Sequence, residues 1–153
     1  RLPGTIGETV AAVEATGRRA LAVRADMTNP DDITALVAAT IDAFGRLDAL
    51  VNNAADTSGG TPKLGDLSMD DWLRQFDANL HGPLRLMQAA LPHLIASGAG
   101  VIINMTSGAA NLVPVAAASG ETSVLGGERL AYAASKAALN RLANALAPES
   151  LIT

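Results

Sequence analysis

The sequence contains no cysteine, and this absence excludes several kinds of chemistry. A chain without thiols has no disulfides, no thiolate zinc sites and no cysteine nucleophile. Its two histidines, His81 and His93, fall within one predicted helix without a recognisable ligand pattern, so we predict no metal site. The lack of cysteine also suits the reducing cytoplasm, where we expect the protein to act.

Positive charge is scarce and scattered. The chain has 11 Lys and Arg against 15 Asp and Glu, and its longest basic run is Arg18–Arg19. Proteins that bind along a duplex neutralise many backbone phosphates with Lys and Arg. We therefore expect no nucleic-acid partner.

Long uninterrupted apolar runs are also missing. Residues 86–120 contain no Asp, Glu, Lys or Arg, but His93, Asn104 and several prolines and glycines interrupt them. A membrane-spanning helix needs about 20 consecutive predominantly apolar residues. We therefore predict no membrane span and interpret the segment as a buried strand with its flanking loops.

The sequence shows no internal repeat, no linker and no G-x-S-x-G nucleophile elbow of the kind found in many hydrolases. What is present is a chain of 153 residues, 49% hydrophobic and 17% charged. These values are typical of a globular protein, so we treat residues 1–153 as a single domain.

Helix start and stop signals predict the first helices. Thr5 and Glu8 have the spacing of a capping box, and the helix that they begin is expected to end at Gly17. A second helix is predicted from Pro30 to about Phe44, just before Gly45.

A long helix is predicted over residues 69–95. Ser68 and Asp71 form an N-cap pair at its start, and leucines and a methionine form an apolar stripe along it. Pro83 is expected to bend this helix, because a proline inside a helix removes a hydrogen bond.

Three apolar segments alternate with these helices. They read RALAVRADM over 19–27, LDALVNNA over 47–54 and GVIINMTS over 100–107. Strands that alternate with helices indicate a parallel sheet with helices on both faces. The predicted fold class is therefore α/β, a doubly wound parallel sheet in three α/β/α layers.

Polar residues follow each predicted strand. They are Asp26 with Met27, the run 52–55 of sequence NNAA, and Thr106 with Ser107. Ligands of such sheets bind just beyond the carboxyl ends of the strands. Each group alone also has a structural interpretation, as a helix cap, as turn asparagines or as a loop hydroxyl.

The stretch AYAASKAAL, residues 131–139, contains the only tyrosine of the chain, Tyr132, four positions before Lys136. An alanine-rich run of this kind is typical of a helix, which puts both side chains on one face. On its own the pair has a structural interpretation too, as a tyrosine that covers the helix with a solvated lysine beside it.

Taken in order along the chain, these motifs resemble those of the short-chain dehydrogenases/reductases. The set consists of DM at 26–27, NNAA at 52–55, Asn79, IINMTS ending at Ser107, and YAASK at 132–136. A Y-x-x-x-K pair alone is a weak signal, but five motifs in the family's order over residues 2–147 are specific. The resemblance implies a Rossmann-like fold and an oxidoreductase that interconverts an alcohol and a ketone with NAD or NADP.

The chemistry of that reaction explains the pairing of a phenol with an ammonium. A free phenol, with a pKa of about 10, is a poor base at neutral pH. A neighbouring cation favours the phenolate and brings the group into the range of efficient general acid/base catalysis. By resemblance, Tyr132 carries the proton and Lys136 also holds the nicotinamide ribose.

The resemblance assigns the remaining site residues as well. Ser107 is expected to bind the substrate oxygen, and Asn79 to help hold a proton-relay water near Lys136. Residues expected to contact the adenosine half of the coenzyme are Asp26, Met27, Asn53, Ala54 and Ala55.

Two departures from the family bear on the substrate. NNAA replaces the commoner NNAG, a mild change, and residues 108–131 are longer than usual, with GETSVLGGERLA as the added piece. This loop is expected to shape the substrate pocket, and its small apolar residues favour a hydrophobic alcohol or ketone. Relatives that pack the helices carrying Asn79 and Tyr132 together form oligomers, so we expect a homodimer or homotetramer.

The family's Gly-rich turn, T-G-x-x-x-G-x-G, has no counterpart in this sequence. In the strand order 3-2-1-4-5-6, the three predicted strands correspond to the third, fourth and fifth. The strand at 19–27 would then lack neighbours, so we expect the chain to be part of a longer one, with a further segment missing near residue 147. The alternative function is a non-catalytic relative that acts as a binding or assembly module.

Overall fold

The computed structural model describes residues 4–60, 64–111 and 129–146. Within them lie five α-helices and two strands, with two helices before the first strand, two between the strands and one after the second. The helices are α1 (Ile6–Glu14), α2 (Pro30–Phe44), α3 (Met69–Phe76), α4 (Gly82–Ser97) and α5 (Leu130–Leu146), and the strands are β1 (Ala49–Asn52) and β2 (Val101–Asn104). Short 3₁₀ turns at Leu64–Asp66 and Gly108–Asn111 and a π turn at Asp77–His81 complete the regular structure.

Local capping signals explain where the helices begin and end. Thr5 and Glu8 form the predicted capping box at α1, in which the Thr5 hydroxyl accepts from the Glu8 amide. Asn29 caps α2, with Pro30 at its first position, and Gly45 ends that helix with φ of 76°. These predicted boundaries are confirmed because each depends on residues only a few positions apart.

The predicted long helix is present as α3, the π turn and α4, which follow one another without leaving the helical region. Ser68 caps its start, as predicted, by accepting from the Asp71 amide. Near the place where a bend was expected, the structure has the π turn, which ends two residues before Pro83. Pro83 has no N–H to give to the carbonyl of Asn79, and the Gly82 amide bonds to Asp77 five residues back.

The two strands are parallel neighbours, and Leu50 pairs with Ile102 in their register. They are shorter than the predicted segments 47–54 and 100–107, but they fall inside them. Adjacent parallel pairing is what the strand order of a doubly wound sheet requires of its fourth and fifth strands.

The prediction of a strand over residues 19–27 is wrong for this structure. The segment forms no regular secondary structure, Met27 already lies in a turn, and the described residues provide no strand partner for it. A strand exists only by pairing its backbone groups with a neighbour. The residues that would pair with it in the family order are not provided by the described parts of the chain.

The core lies between α2, α4 and one face of the sheet. Its buried centre is Ile33, Val37 and Leu86, against which Met27 and Leu50 pack. The other face of the sheet is open in the described structure, since Val51, Val101 and Ile103 are about half exposed, at 53%, 50% and 46%. None of the described helices is both long and apolar enough to cross a bilayer.

Candidate active site

Helix α5 brings Lys136 to the carboxyl end of the sheet, with Tyr132 one helical turn before it. Tyr132 lies in its first turn and is half-buried, whereas Lys136 is only 2% exposed. The Lys136 Nζ donates to the carbonyl oxygen of Met105 at 2.8 Å, one residue beyond β2. Burial of the ammonium lowers the pKa of Lys136.

The end of β2 is fixed to both β1 and α5. The Met105 amide donates to the Asn52 carbonyl at 2.9 Å, which extends the strand pairing by one residue. The next residue, Thr106, directs its hydroxyl at the Lys136 carbonyl at 3.4 Å. The backbone that leads to Ser107 is therefore held against the helix that carries Tyr132 and Lys136.

Ser107 begins the 3₁₀ turn at Gly108–Asn111. It is half-buried, and its hydroxyl oxygen accepts from the Ala109 amide at 3.2 Å. Ser107 thus follows Met105, the residue that holds the lysine, by two positions. The structure brings Ser107 and Lys136 to the same strand end.

Asn79 lies within the π turn and is 0% exposed. Its Oδ1 accepts from the Asp56 amide at 2.7 Å, and its Nδ2 donates to the Asp56 carbonyl at 3.0 Å and to the Ser135 hydroxyl at 3.1 Å. The side chain therefore joins the turn after β1 to α5. The residue four positions after Asn79 is Pro83, which has no N–H to donate to the Asn79 carbonyl.

Asp56 is also held through its side chain. Its carboxylate accepts from the Ser58 amide and hydroxyl at 2.8 and 2.6 Å and from the Arg74 Nε at 2.9 Å. Burial acts to raise the pKa of Asp56, but these hydrogen bonds and the Arg74 charge outweigh it and lower the pKa. The turn after NNAA is thus fastened to α3 by charge-assisted bonds.

A cleft of about 760 Å³ lies beside this turn. Four of the five predicted adenosine-site residues line it: Asp26, Met27, Ala54 and Ala55. Asp56, which is hydrogen-bonded to Asn79, and Ala78, which precedes Asn79 in the sequence, line it too. The fifth, Asn53, is exposed and is not among the lining residues.

Hydrogen bonds from Thr28 hold the Asp26 carboxylate in place. Its Oδ1 accepts from the Thr28 amide and hydroxyl, both at 2.8 Å, and these bonds lower the pKa of Asp26. The cap of α2 is Asn29 rather than Asp26, so the capping interpretation of Asp26 is wrong. An ionised carboxylate at the rim of the cleft is a ready acceptor for amino or hydroxyl groups.

Three residues of the site were not singled out from the sequence. They are Asp56, Gly82, whose backbone touches Met27, and Ser135, which contacts Asn79. Sequence signals existed for two of them: a glycine inside a helix marks close packing, and Ser135 is the second hydroxyl residue of YAASK, after Tyr132. The loop expected to shape the substrate pocket lies mostly outside the described residues, which leave out 112–128.

Comparisons with known proteins agree with this geometry. The family model of the short chain dehydrogenases matches residues 2–152. A Mycobacterium tuberculosis protein named an uncharacterized NAD-dependent oxidoreductase is 37% identical over 144 residues, which is 94% of this chain and 48% of the relative.

Two solved structures share the fold. One, a 7α-hydroxysteroid dehydrogenase complexed with NADH and 7-oxo glycochenodeoxycholic acid, has a TM-score of 0.74 at 32% identity, covering 90% of this chain and 48% of that one. The other, a metagenomic short-chain oxidoreductase in complex with NADP, has a TM-score of 0.77 at 30% identity, covering 95% and 60%.

The chain therefore belongs to the short-chain dehydrogenase family, as the motif order predicted. The structural matches confirm the predicted α/β fold class. The chain spans about half the length of the curated relatives it matches, 48% and 47% for two of them.

Proposed function

We propose that the protein is an oxidoreductase that interconverts an alcohol and a ketone with NAD or NADP. The observation that carries the proposal is the buried ammonium of Lys136, held at the carboxyl end of β2, one helical turn from Tyr132 and beside the strand end that leads to Ser107. Burying a lysine without a carboxylate partner is costly, and such a cost is typical of functional sites.

Tyr132 is the proposed proton carrier. In the oxidation direction, its oxygen takes the hydroxyl proton of the alcohol, and the Ser107 hydroxyl donates a hydrogen bond to the same substrate oxygen. Lys136 follows Tyr132 by one helical turn of α5, so both side chains leave the helix on one face. The bound coenzyme supplies the other half of the chemistry, as acceptor or donor of a hydride.

The proton then needs a route to solvent. We assign this to a water on the backbone carbonyl of Asn79, because the Asn79 side chain is committed to Asp56 and Ser135. Asn79 contacts α5, the helix that carries Lys136, through the hydroxyl of Ser135.

The residues around the cleft suit the adenosine half of a dinucleotide. The small side chains of Ala54 and Ala55 leave room for a ring, and the ionised Asp26 carboxylate accepts from an amino group, with the Met27 backbone alongside. Asn53, at the same strand end, is assigned to the ribose, and Lys136 to the nicotinamide ribose. The named coenzymes of the relatives, NAD, NADH and NADP, support this assignment.

A hydrophobic secondary alcohol or ketone is the proposed substrate. The small apolar residues of the 108–131 loop favour it, and a relative acts on a steroid. We further propose a cytoplasmic homodimer or homotetramer that packs the helices carrying Asn79 and Tyr132. The exposed Leu91 and Ile95 on α4 support such packing.

The test combines coenzyme binding with turnover, both measured on the full-length protein. NAD or NADP at saturating concentration should raise the melting temperature, and a panel of hydrophobic secondary alcohols should reduce the coenzyme. Tyr132→Phe should lower kcat by about 100- to 10,000-fold while the coenzyme still raises the melting temperature.

The outcomes separate the two functions. Coenzyme protection without turnover of any alcohol or ketone would favour a binding module. If neither coenzyme protects and nothing is turned over, the oxidoreductase proposal is wrong.

A further inference from the structure

Ser135 is a buried hydroxyl between the two residues at the centre of the site. It is 0% exposed and lies three positions after Tyr132 and one before Lys136. Its Oγ donates to the Tyr132 carbonyl at 2.8 Å and accepts from the Asn79 Nδ2 at 3.1 Å. Polar groups are buried at acceptable cost only when they are hydrogen-bonded, and this hydroxyl is bonded both as donor and as acceptor.

The hydrogen bonds of Ser135 continue through Asn79 to the turn after β1. Asn79 is also 0% exposed, and it is joined in both directions to the backbone of Asp56, at 2.7 and 3.0 Å. Asp56, Asn79, Ser135 and Tyr132 therefore form one chain of hydrogen bonds. It connects the turn after β1, the π turn and the first turns of α5, three segments distant in sequence.

A second anchor acts on the neighbouring residue from the other strand. Lys136 is tied to Met105, just after β2, through its Nζ. The helical turn from Tyr132 to Lys136 is thus held at Ser135 from the β1 side and at Lys136 from the β2 side. Two anchors from different strands fix both the position and the rotation of a helix, whereas one anchor leaves rotation open.

We infer that Ser135 is a positioning residue that sets the Tyr132–Lys136 turn relative to Asn79 and the end of β1. This inference rests on the proposed function. Loss of the Ser135 hydroxyl removes the β1-side anchor and leaves an Asn79 N–H unpaired in a buried place. Small displacements of a proton carrier cost rate steeply, because proton and hydride transfer require close alignment.

The chain offers a matched control. Ser97, near the end of α4, makes the same kind of bond, from its Oγ to the carbonyl three residues back, Leu94, at 2.7 Å. Within the described parts of the chain, its hydroxyl bonds only to Leu94 and Ala99 and to none of the site residues. Ser135→Ala and Ser97→Ala therefore delete the same local bond, and only the first deletes the link between helices.

The experiment measures steady-state kinetics and amide hydrogen exchange on the full-length protein. Ser135→Ala should lower kcat by about 10- to 100-fold, with KM changed by less than about twofold, since positioning acts in the transition state. In the coenzyme-free protein, it should also speed exchange of the Asp56 amide by at least about fivefold, because its acceptor Asn79 is loosened. Ser97→Ala should change neither quantity. Ser135→Cys, which keeps the size and a weak donor, should give an intermediate kcat.

Each outcome decides a separate point. Wild-type kcat in Ser135→Ala overturns the inference and leaves the proposed function intact. If the wild type itself turns over no alcohol, the proposed function fails, and an unchanged Asp56 exchange rate in Ser135→Ala then overturns the inference as well. If Ser135→Ala does not fold, Ser135→Cys decides: a lowered kcat at constant KM supports positioning, and a wild-type kcat contradicts it.

Discussion

Burial of Lys136 places an energetic cost on a single residue of this fold. Its ammonium is nearly inaccessible, and in the described structure its hydrogen-bond partner is a backbone carbonyl rather than a carboxylate. An ammonium in such a place destabilises the folded state relative to one in water. The arrangement makes physical sense if the charge is used, as proposed, by a phenolate and by ribose hydroxyls.

The buried lysine should make stability depend on pH in the alkaline range. Because burial lowers the pKa of Lys136, the folded protein binds fewer protons than the unfolded chain between that lowered pKa and the ordinary value of about 10.4. The free energy of unfolding should therefore rise with pH across this window, and the destabilisation by the ammonium should be fully present below it.

Lys136→Met removes the titrating group, so the difference in unfolding free energy between wild type and variant should shift in favour of the wild type as pH rises. Urea unfolding at a series of pH values checks this. A difference that stays constant with pH would show that Lys136 is not desolvated in solution.

At the scale of elements, the position of α4 depends on a glycine. A Cβ built on Gly82 would lie 2.4 Å from the Met27 carbonyl oxygen and 3.1 Å from the Met27 Cβ. Glycine permits this approach, which holds the segment after Asp26 against the start of α4 and so forms one wall of the cleft.

Gly82→Ala should destabilise the protein by about 1–3 kcal/mol through this backbone clash. The result is diagnostic because alanine in a helix is otherwise favoured over glycine by about 1 kcal/mol. Gly65→Ala is the control, since a Cβ there meets nothing within 4 Å and its φ is not positive. Chemical denaturation measures both, and equal stability of the two variants would contradict the close contact.

The elements were predictable to different degrees, for a physical reason. The capping box at Thr5, the Ser68 cap and the glycine stop at Gly45 were read correctly because each is set by neighbours along the chain. The segment 19–27 has a strand-like composition but forms no strand, because pairing depends on a partner and not on composition. The π turn was likewise seen only in the structure, although the sequence predicted a bend at the nearby Pro83.

For the molecule as a whole, the two faces of the sheet are unequal. Leu50 packs into the core with α2 and α4, whereas its neighbour Val51 is 53% exposed. Adjacent residues of a strand point to opposite faces, so Leu50 and Val51 lie on the two different faces of the sheet. The proposed three layers are therefore closed on one side only in the described structure.

Two alanine substitutions, one on each face of the sheet, test this difference in burial. In the 153-residue chain, Leu50→Ala should cost about 2 kcal/mol of unfolding free energy, and Val51→Ala less than about 1 kcal/mol. Urea unfolding of the two variants measures the difference. Equal costs would mean that the Val51 face is covered in solution, and the one-sided sheet would be wrong.

Features that depend on local chemistry or on motif order could be inferred from the order of the amino acids. These include the helix caps, the parallel pairing of β1 with β2, and the membership of the family, which the family model confirms. The tertiary structure alone decided which side chains meet across the fold: the burial of Lys136 against Met105, the bonds of Asn79 to Asp56 and Ser135, and the contact of Gly82 with Met27. A spacing along the chain fixes what lies one helical turn away, but contacts between distant segments depend on how the elements pack, and no local pattern encodes that packing.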